Sequence, residues 1–309
     1  MAEPRLRSHD QAREPELRRV NVISSRPHDR TAYTQGLVLH AGELYESAGD
    51  FRRSSLRRVD PLTGVVKQRL NLPDTIFAEG LALVGDRLIQ LTWQNRVAFV
   101  YDRATFREVG RHSYDTDGWG LCYDGTRLVM TDGTSTMYFR DPDTFEAVGQ
   151  VEITSRGRPL REVNELECVG DTVYGNVFRT DTIVEIDPRT GEVVTEIDAA
   201  GLLTPEEQVG AYVLNGIAWD PATGHFLVTG KDWPRLFEVT FDPVPPTDTA
   251  VPPATPTPTD TAVPPATPTP TDTAVPSATP VATETATPTA TPTLTPRPVI
   301  YVPALHRPS

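Results

Sequence analysis

Cysteine and histidine are scarce in this sequence of 309 residues. The two cysteines, Cys122 and Cys168, are too few for the disulfide framework of a small secreted domain, and we expect both to be buried thiols. The six histidines lie singly along the chain, and no pair has the spacing of a zinc site. The sequence therefore predicts no histidine-bound catalytic metal, and we expect no cofactor.

Long apolar runs are absent as well. No stretch approaches the roughly 18 apolar residues of a membrane-spanning helix. The N-terminal sequence "MAEPRLRSHDQAREPELRR" lacks the apolar segment of a signal peptide, so none is expected from the sequence as written. The formal net charge of −13 argues against nucleic acid or an anionic membrane surface as a partner.

The composition changes sharply near Pro243. Residues 243–298 are almost wholly Thr, Pro, Ala, Val and Asp, and the segment "PTDTAVPPATPT" recurs in near-identical copies. This composition is typical of extended polyproline-rich spacers and of O-glycosylated stalks outside the cell. We therefore predict a polar extension (1–17), a folded domain (18–242), a low-complexity stalk (243–298) and a short apolar end (299–309). An extracellular or cell-surface location is expected, and an upstream start or another export route would explain the missing signal peptide.

An internal repeat organises the folded part. Five segments share a short apolar alternation, a turn with glycine and a second apolar alternation, which predicts a β-hairpin. They are "QGLVLHAGELYES", "EGLALVGDRLIQLT", "WGLCYDGTRLVMTDG", "NELECVGDTVYGNV" and "NGIAWDPATGHFLVTG". Each of the first four is followed by a turn of the type "VDPLTGVV". Four strands in about 40–50 residues, repeated five times, predict an all-β, five-bladed β-propeller.

The two ends of the folded part fit this prediction. The segment "RRVNVISS" is a spare strand before the first repeat, and "PRLFEVTF" leaves the last blade one strand short. We expect the N-terminal strand to complete the last blade. The only helix signal is "TPEEQVGAY", with Thr at the N-cap, Pro after it and Glu at the third position. It predicts a short insertion between the fourth and fifth blades.

The first residues of the five repeats should meet at one mouth of the central channel. They are Gln35, Glu79, Trp119, Asn164 and Asn215. One carboxylate among amides and aromatic rings, with no aligned Ser–His or Cys–His pair, favours general acid–base catalysis. Aromatic walls from Phe77 and Trp93 would raise the pKa of that carboxyl group. Lys231 is placed to stabilise an oxyanion or to pair with the carboxylate.

Other interpretations remain open at this point. Glu79 and Lys231 could form a salt bridge without catalytic chemistry, and the two asparagines could simply cap backbone groups. The tryptophans Trp93, Trp119 and Trp233 could pack in the core. Glu165 and Glu167 in "NELEC" are expected to be structural.

The motifs together closely resemble those of the plant- and bacterial-type glutaminyl-peptide cyclotransferases. The resemblance runs in order from Val20 to Phe241 and includes "TAYTQGL", "FAEGLAL", "QLTWQNR", "DGWGL", "VNELECV", "NVFRTD", "VLNGIAWD" and "VTGKDWP". It implies a five-bladed propeller that converts the N-terminal glutamine of a peptide or protein to pyroglutamate, releases ammonia and uses no catalytic zinc.

The resemblance also implies roles for individual residues. Glu79 would be the proton shuttle, while Gln35, Asn164 and Lys231 would hold the γ-carbonyl of the substrate and its developing oxyanion. The aromatic pocket would consist of Tyr33, Phe77, Trp93 and Trp119. Two positions depart from the family pattern, because Phe178 stands where tryptophan is usual and Tyr33 where phenylalanine is common. We expect a monomer, and the alternative function is a non-catalytic propeller that binds a peptide terminus or a glycan.

Overall fold

The computed structural model describes residues 13–244. Most of the predicted polar extension (1–17), nearly all of the predicted stalk (243–298) and the apolar C-terminal end (299–309) lie outside the described residues. The described chain is all-β, with one short helix. The strands run from Glu16 to Pro243, close to the predicted bounds of 18 and 242. No helix within this range is both long and apolar enough to cross a membrane.

The chain begins with one long strand and then forms three antiparallel sheets of four strands each. The long strand is β1 (Glu16–Pro27). The first sheet contains β2 (Thr34–His40), β3 (Glu43–Ala48), β4 (Ser55–Val59) and β5 (Val66–Asn71). The second contains β6 (Ala78–Val84), β7 (Arg87–Thr92), β8 (Val97–Asp102) and β9 (Glu108–Ser113). The third contains β10 (Leu121–Tyr123), β11 (Leu128–Thr131), β12 (Thr136–Arg140) and β13 (Ala147–Glu152).

The remaining strands form a two-stranded hairpin and a sheet of eight strands that includes β1. The hairpin is β14 (Thr154–Ser155) and β15 (Arg158–Pro159). A fourth group follows, with β16 (Val163–Val169), β17 (Thr172–Val177), β18 (Thr182–Ile186) and β19 (Val193–Asp198). After the helix α1 (Pro205–Gln208), the last group is β20 (Leu214–Asp220), β21 (His225–Gly230) and β22 (Arg235–Pro243).

The strand β1 joins the last two groups. It pairs antiparallel with β22 and, over Glu16–Arg19, parallel with β19. The sheet order is therefore β16-β17-β18-β19-β1-β22-β21-β20. This confirms the prediction that the N-terminal strand supplies the fourth strand of the last group. The short parallel pairing with β19 was not predicted.

The first strands of the five groups contact one another in a closed series: β2, β6, β10, β16, β20 and β2 again. The repeated glycines explain how closely these strands approach. A Cβ atom on Gly36 would lie 2.5 Å from the backbone nitrogen of Leu81, and one on Gly120 would lie 1.9 Å from the carbonyl oxygen of Asn164. Any larger residue would push neighbouring first strands apart.

The fourth repeat has Glu165 where the other repeats have glycine. Its buried carboxylate accepts hydrogen bonds from the backbone N–H groups of Leu37 in β2 (3.0 Å) and Ile217 in β20 (2.8 Å). Burial raises the pKa of this carboxyl group well above its ordinary value. Glu167 accepts a hydrogen bond from the backbone of Trp219 at 3.0 Å. Both contacts agree with the structural role predicted for these glutamates.

The buried apolar side chains of the described chain form five clusters, each between two neighbouring groups of strands. Leu37 and Leu44 of the first group, for example, pack against Ala218 and Leu227 of the last group. Burial of this apolar area between the sheets is the main force that holds the groups together.

The two cysteines correct the sequence prediction. Cys122 in β10 and Cys168 in β16 form a disulfide bond with a Cα–Cα distance of 5.5 Å, so the expectation of two buried thiols is wrong. The reason is that β10 and β16 are adjacent first strands, which brings residues distant in sequence within disulfide range.

The helix α1 begins as its sequence predicts. The side chain of Thr204 accepts a hydrogen bond from the backbone of Glu207, and the Glu207 side chain accepts one from the backbone of Thr204. This capping box satisfies two N–H groups that a helix start otherwise leaves free. The helix lies between β19 and β20, the position predicted for the insertion.

Candidate active site

The turns that connect the second and third strands of each group surround one end of the closed series of first strands; we call this end the mouth of the site. Each of these turns contains a residue in the left-handed backbone region: Asp50 and Arg52, Arg96, Gly133, Arg179, and Asp232. Such conformations are costly for residues other than glycine and often mark functional turns. Three predicted site residues, Trp93, Phe178 and Lys231, immediately follow a second strand and so lie in these turns.

Four of the five turns are tied by a backbone hydrogen bond to the residue that precedes the first strand of the same group. The backbone N–H of Trp93 donates to the carbonyl of Phe77 at 2.9 Å, and that of Lys231 donates to the carbonyl of Val213 at 2.9 Å. In the first group, Gly49 occupies the equivalent place. A Cβ atom there would lie 2.7 Å from the Phe77 ring, so glycine leaves room for that ring.

Glu79 lies in β6 at the mouth and is 4% exposed. Its backbone carbonyl accepts a hydrogen bond from Ser47, whose hydroxyl in turn accepts one from Gln90. The carboxylate oxygen Oε2 is buried and has no hydrogen-bond partner among residues 13–244. Burial raises the pKa of Glu79 well above its ordinary value, and the positive charge of Lys231 only partly opposes this shift. Glu79 is therefore a buried carboxyl group with an oxygen free to exchange a proton.

Lys231 is 2% exposed, and its ammonium group lies against aromatic rings. Its Nζ atom is 4.9 Å from the ring centroid of Tyr33 and 4.6 Å from that of Phe178. Burial lowers the pKa of Lys231 to about 8, against the opposing influence of Glu79. Among the described residues no ion pair within 4.0 Å joins Lys231 to Glu79. The interpretation as a simple salt bridge is therefore wrong.

The aromatic residues predicted for the pocket come together around these two charges. The ring centroids of Trp93 and Phe77 are 5.7 Å apart, and those of Phe77 and Tyr33 are 6.0 Å apart. On the other side of Lys231, the rings of Trp119 and Phe178 are 5.7 Å apart. Rings at these distances exclude water and lower the local dielectric constant, which strengthens the interaction between buried charges.

Two aromatic residues of this arc were missed by the sequence analysis. Tyr212, which is 46% exposed, stacks on Tyr33 at 6.0 Å and contacts Phe178 at 6.5 Å, so it joins the two halves of the arc. Phe51, also 46% exposed, lies 5.3 Å from Phe77. Both residues are in loops without a repeated motif, and no sequence signal placed them at the mouth.

Three predicted amide side chains also lie buried near the mouth. The Oε1 atom of Gln35 accepts a hydrogen bond from Asn215 at 3.1 Å, and Asn215 also donates to the carbonyl of Thr34 at 2.9 Å. Asn215 therefore does cap a backbone group, as the alternative interpretation held. The Oδ1 atoms of Asn164 and Asn215 are buried and accept no hydrogen bond from any residue that the structure describes. Unsatisfied buried oxygens are costly, so both are candidates for contact with a substrate.

A buried polar cluster, also missed by the sequence analysis, supports the turn that carries Lys231. The ring nitrogens of His28 lie 2.9 Å from the carbonyl of Trp233 and 3.1 Å from the carboxylate of Glu46. Glu46 also accepts a hydrogen bond from Thr34 at 2.8 Å. Burial lowers the pKa of His28, but the Glu46 carboxylate outweighs that effect and leaves the pKa raised. The cluster ties the Lys231 turn to the first group of strands.

The last two features concern Trp233 and the side chains that could bind a metal ion. Trp233 is buried among core residues and packs against Phe237, in agreement with a core role. Within residues 13–244, no group of three or more His, Cys, Asp or Glu side chains is arranged to hold a metal ion.

Comparisons with known proteins identify the family. The profile of the glutamine cyclotransferase family matches residues 2–241. A glutaminyl-peptide cyclotransferase of Arabidopsis thaliana is 39% identical over 229 residues, which cover 72% of this chain and 71% of that protein. The crystal structure of a glutaminyl cyclase from Myxococcus xanthus is 42% identical, with a TM-score of 0.68, and the match covers 75% of this chain and all of that one. The resemblance stated from the motifs is therefore confirmed: the chain belongs to the glutamine cyclotransferase family.

Proposed function

We propose that this protein is a glutaminyl-peptide cyclotransferase that converts the N-terminal glutamine of peptides or proteins to pyroglutamate and releases ammonia. The observation that carries the proposal is the buried carboxylate of Glu79, whose Oε2 atom has no hydrogen-bond partner in the described part of the chain and which is electrostatically coupled to Lys231 among aromatic rings. The relatives named above, a glutaminyl-peptide cyclotransferase and a glutaminyl cyclase, support it.

The first chemical step forms the ring. The α-amino nitrogen of the substrate attacks its own γ-carbonyl carbon, and a new C–N bond forms while the carbonyl oxygen gains negative charge. The carboxylate of Glu79 accepts the proton that the attacking nitrogen loses. A raised pKa makes this carboxylate a stronger base than an exposed glutamate.

The second step releases ammonia. The tetrahedral oxyanion collapses, the bond between the carbon and the amide nitrogen breaks, and Glu79 returns its proton to the leaving nitrogen. The ammonium group of Lys231 stabilises the oxyanion, because an ion-pair interaction is strong where aromatic rings exclude water. Gln35 and Asn164 position the substrate amide, and the rings of Tyr33 and Phe178 hold the lysine in place.

The fold proposed for this chemistry is a five-bladed β-propeller. Three observations support it: five groups of strands, a closed series of contacts among their first strands, and apolar clusters between neighbouring groups. The antiparallel pairing of β1 with β22 supports closure of the ring by the N-terminal strand. In such a fold, turns distant in sequence meet at one mouth.

An extracellular or cell-surface location remains a proposal. The disulfide between Cys122 and Cys168 supports it, because disulfide bonds persist mainly in oxidising compartments. The Thr- and Pro-rich composition after Pro243 supports it as well. A thiol titration of the protein recovered from culture medium and from cells tests this proposal, and size-exclusion chromatography with light scattering tests the proposed monomer.

The decisive experiment is an ammonia-release assay on a short peptide that begins with glutamine, with and without EDTA. We expect turnover that EDTA does not reduce, and no turnover of the matched peptide that begins with asparagine. A folded protein with no turnover between about pH 5 and 9 would overturn the proposal and favour a non-catalytic propeller that binds a peptide terminus or a glycan.

A further inference from the structure

Four arginines lie on the turns around the mouth of the site: Arg52, Arg53, Arg96 and Arg179. Arg53 pairs with Asp50 at 2.8 Å and with Asp232 at 3.7 Å. Arg96 pairs with Asp117 at 3.5 Å. The other two arginines have no ion pair within 4.0 Å and donate no side-chain hydrogen bond among the described residues. They are exposed cationic groups available to a ligand.

Arg179 is the one of these two that lies beside the reacting groups. It directly follows Phe178, and its guanidinium carbon is 4.9 Å from the centroid of the Phe178 ring. The ammonium of Lys231 lies 4.6 Å from the centroid of the same ring. Lys231 is buried and Arg179 is exposed, so Arg179 lies on the outer side of the ring that contacts the catalytic lysine.

Two acidic residues lie near Arg179 but do not pair with it. Asp181 is two residues further along the chain. Glu162 lies beside the same turn, because its backbone carbonyl accepts a hydrogen bond from the backbone N–H of Phe178 at 2.8 Å. Neither forms an ion pair with Arg179 among residues 13–244. The positive charge of Arg179 also adds to the effect of burial in lowering the pKa of Lys231, which agrees with its closeness to the site.

We infer that Arg179 binds a carboxylate on the substrate residue that follows the N-terminal glutamine, so that the protein prefers peptides with Glu or Asp in second place. This inference rests on the proposed function. The two cations that contact the Phe178 ring can be no more than about 10 Å apart, and consecutive residues of a peptide are about 3.8 Å apart. A glutamine whose γ-carbonyl contacts Lys231 therefore brings the next side chain within reach of Arg179.

The turn on the other side of the mouth carries charges of both signs. Asp50 and Asp232 both pair with Arg53 there, and Arg52 lies on the same turn as Asp50. Arg179, which has no ion pair among the described residues, is the cation beside the Phe178 ring that Lys231 contacts. Charge complementarity therefore favours an acidic second residue across the turn that contains Phe178 and Arg179.

The test compares kcat/KM for two isosteric peptide amides, Gln-Glu-Ala-amide and Gln-Gln-Ala-amide, at low ionic strength. We expect the wild-type protein to prefer the glutamate peptide by about three- to tenfold, the range for an exposed to partly desolvated charge pair. Arg179→Gln should bring the ratio close to one, and Arg179→Lys should restore part of it. Arg52→Gln is the matched control, because Arg52 is also exposed, lies on another turn and has no ion pair among residues 13–244, and it should leave the ratio unchanged.

The ratio of kcat/KM for the two peptides reports recognition of the second residue separately from the rate of the chemical steps. A change in the pKa of Lys231 after Arg179→Gln alters kcat/KM for both peptides by the same factor, and so it cancels in the ratio. Added NaCl should reduce the wild-type ratio, because salt screens exposed charges. Equal kcat/KM for the two peptides in the wild type, or a preference that survives Arg179→Gln, would overturn the inference while the proposed function stands. No turnover of either peptide would overturn the proposed function itself.

Discussion

At the scale of single residues, one physical cause accounts for the opposite behaviour of Glu79 and Lys231. Burial disfavours the charged form of each group, so it raises the pKa of the carboxyl and lowers that of the ammonium. Each charge partly counteracts the shift of the other without a direct ion pair. The two pKa values are thereby shifted toward each other, which suits a pair that must take up and return a proton during one turnover.

Glu79→Gln should separate catalysis from folding. The amide has nearly the same shape but cannot accept the proton of the attacking amine, so kcat should fall by about 10²–10⁴-fold. The midpoint of thermal unfolding should stay within about 4 °C of the wild type, since the Glu79 side chain makes no hydrogen bond among residues 13–244 that the variant could lose. Ammonia release and calorimetry on the same preparation measure both effects, and near-full turnover would refute the assigned role.

The pH dependence of kcat/KM should be bell-shaped. As pH falls through the raised pKa of Glu79, the carboxylate is protonated and can no longer act as a base; the substrate amine, with a pKa of about 7.7–8.0, contributes to the same limb. As pH rises through about 8, Lys231 loses the proton that makes it a partner for the oxyanion. Lys231→Arg should lower the rate but remove the alkaline limb, because guanidinium stays charged.

A wild-type rate that continues to rise above about pH 9 would contradict the role given to Lys231.

The residues of the site were predicted to different extents. Glu79, Gln35 and Asn164 could be found because each begins a repeat, and a repeated position in sequence becomes a repeated position in space. Tyr212 and Phe51 could not be found in this way, because each lies in a loop whose path depends on tertiary contacts. The guanidinium of Arg30, for instance, donates to the backbone carbonyls of Glu207 and Val209 and so fixes the segment that leads to Tyr212.

At the scale of elements, a glycine at or next to the start of four of the five first strands sets the distance between neighbouring groups. Gly120→Ala should be destabilising by about 1–3 kcal/mol or more, because its Cβ atom would meet the backbone oxygen of Asn164 at 1.9 Å. Gly110→Ala is the matched control in an exposed strand, where the nearest atom would be 3.9 Å away in Val100. It should be neutral or slightly stabilising. Urea unfolding of both variants measures the difference, and similar midpoints would contradict this account.

The turns and the helix show which elements the sequence determines locally. The Asp60 side chain accepts hydrogen bonds from the backbone of Leu62 and Thr63, as the predicted turn requires, and Gly64 has the left-handed backbone expected of it. In the second and third groups, Phe106 and Phe145 adopt the same left-handed conformation and are buried. Their burial in the clusters between sheets offsets the cost of that conformation, and no local rule predicts it.

At the scale of the whole molecule, the alternation of strands predicted an all-β chain of successive antiparallel hairpins, but several contacts that join different groups could not be predicted from it. The parallel pairing of β1 with β19, the contacts of Glu165 with β2 and β20, and the disulfide all join different groups. Each depends on how neighbouring sheets are rotated and spaced. Hairpin patterns contain no information on that spacing, and so they do not predict a bond between Cys122 and Cys168.

The disulfide should contribute strongly to the stability of the whole domain. It closes a loop of 46 residues between β10 and β16, and the loss of loop entropy in the unfolded chain corresponds to about 4 kcal/mol. Cys122→Ser combined with Cys168→Ser should therefore lower the free energy of unfolding by about that amount and leave ammonia release by the folded fraction nearly unchanged, because neither cysteine is among the proposed substrate contacts. Denaturant unfolding of the variant, and of the wild type with and without a reductant, measures the effect. Equal stability of the oxidised wild type and the double variant would show that the other contacts between β10 and β16 are sufficient to hold the two groups together.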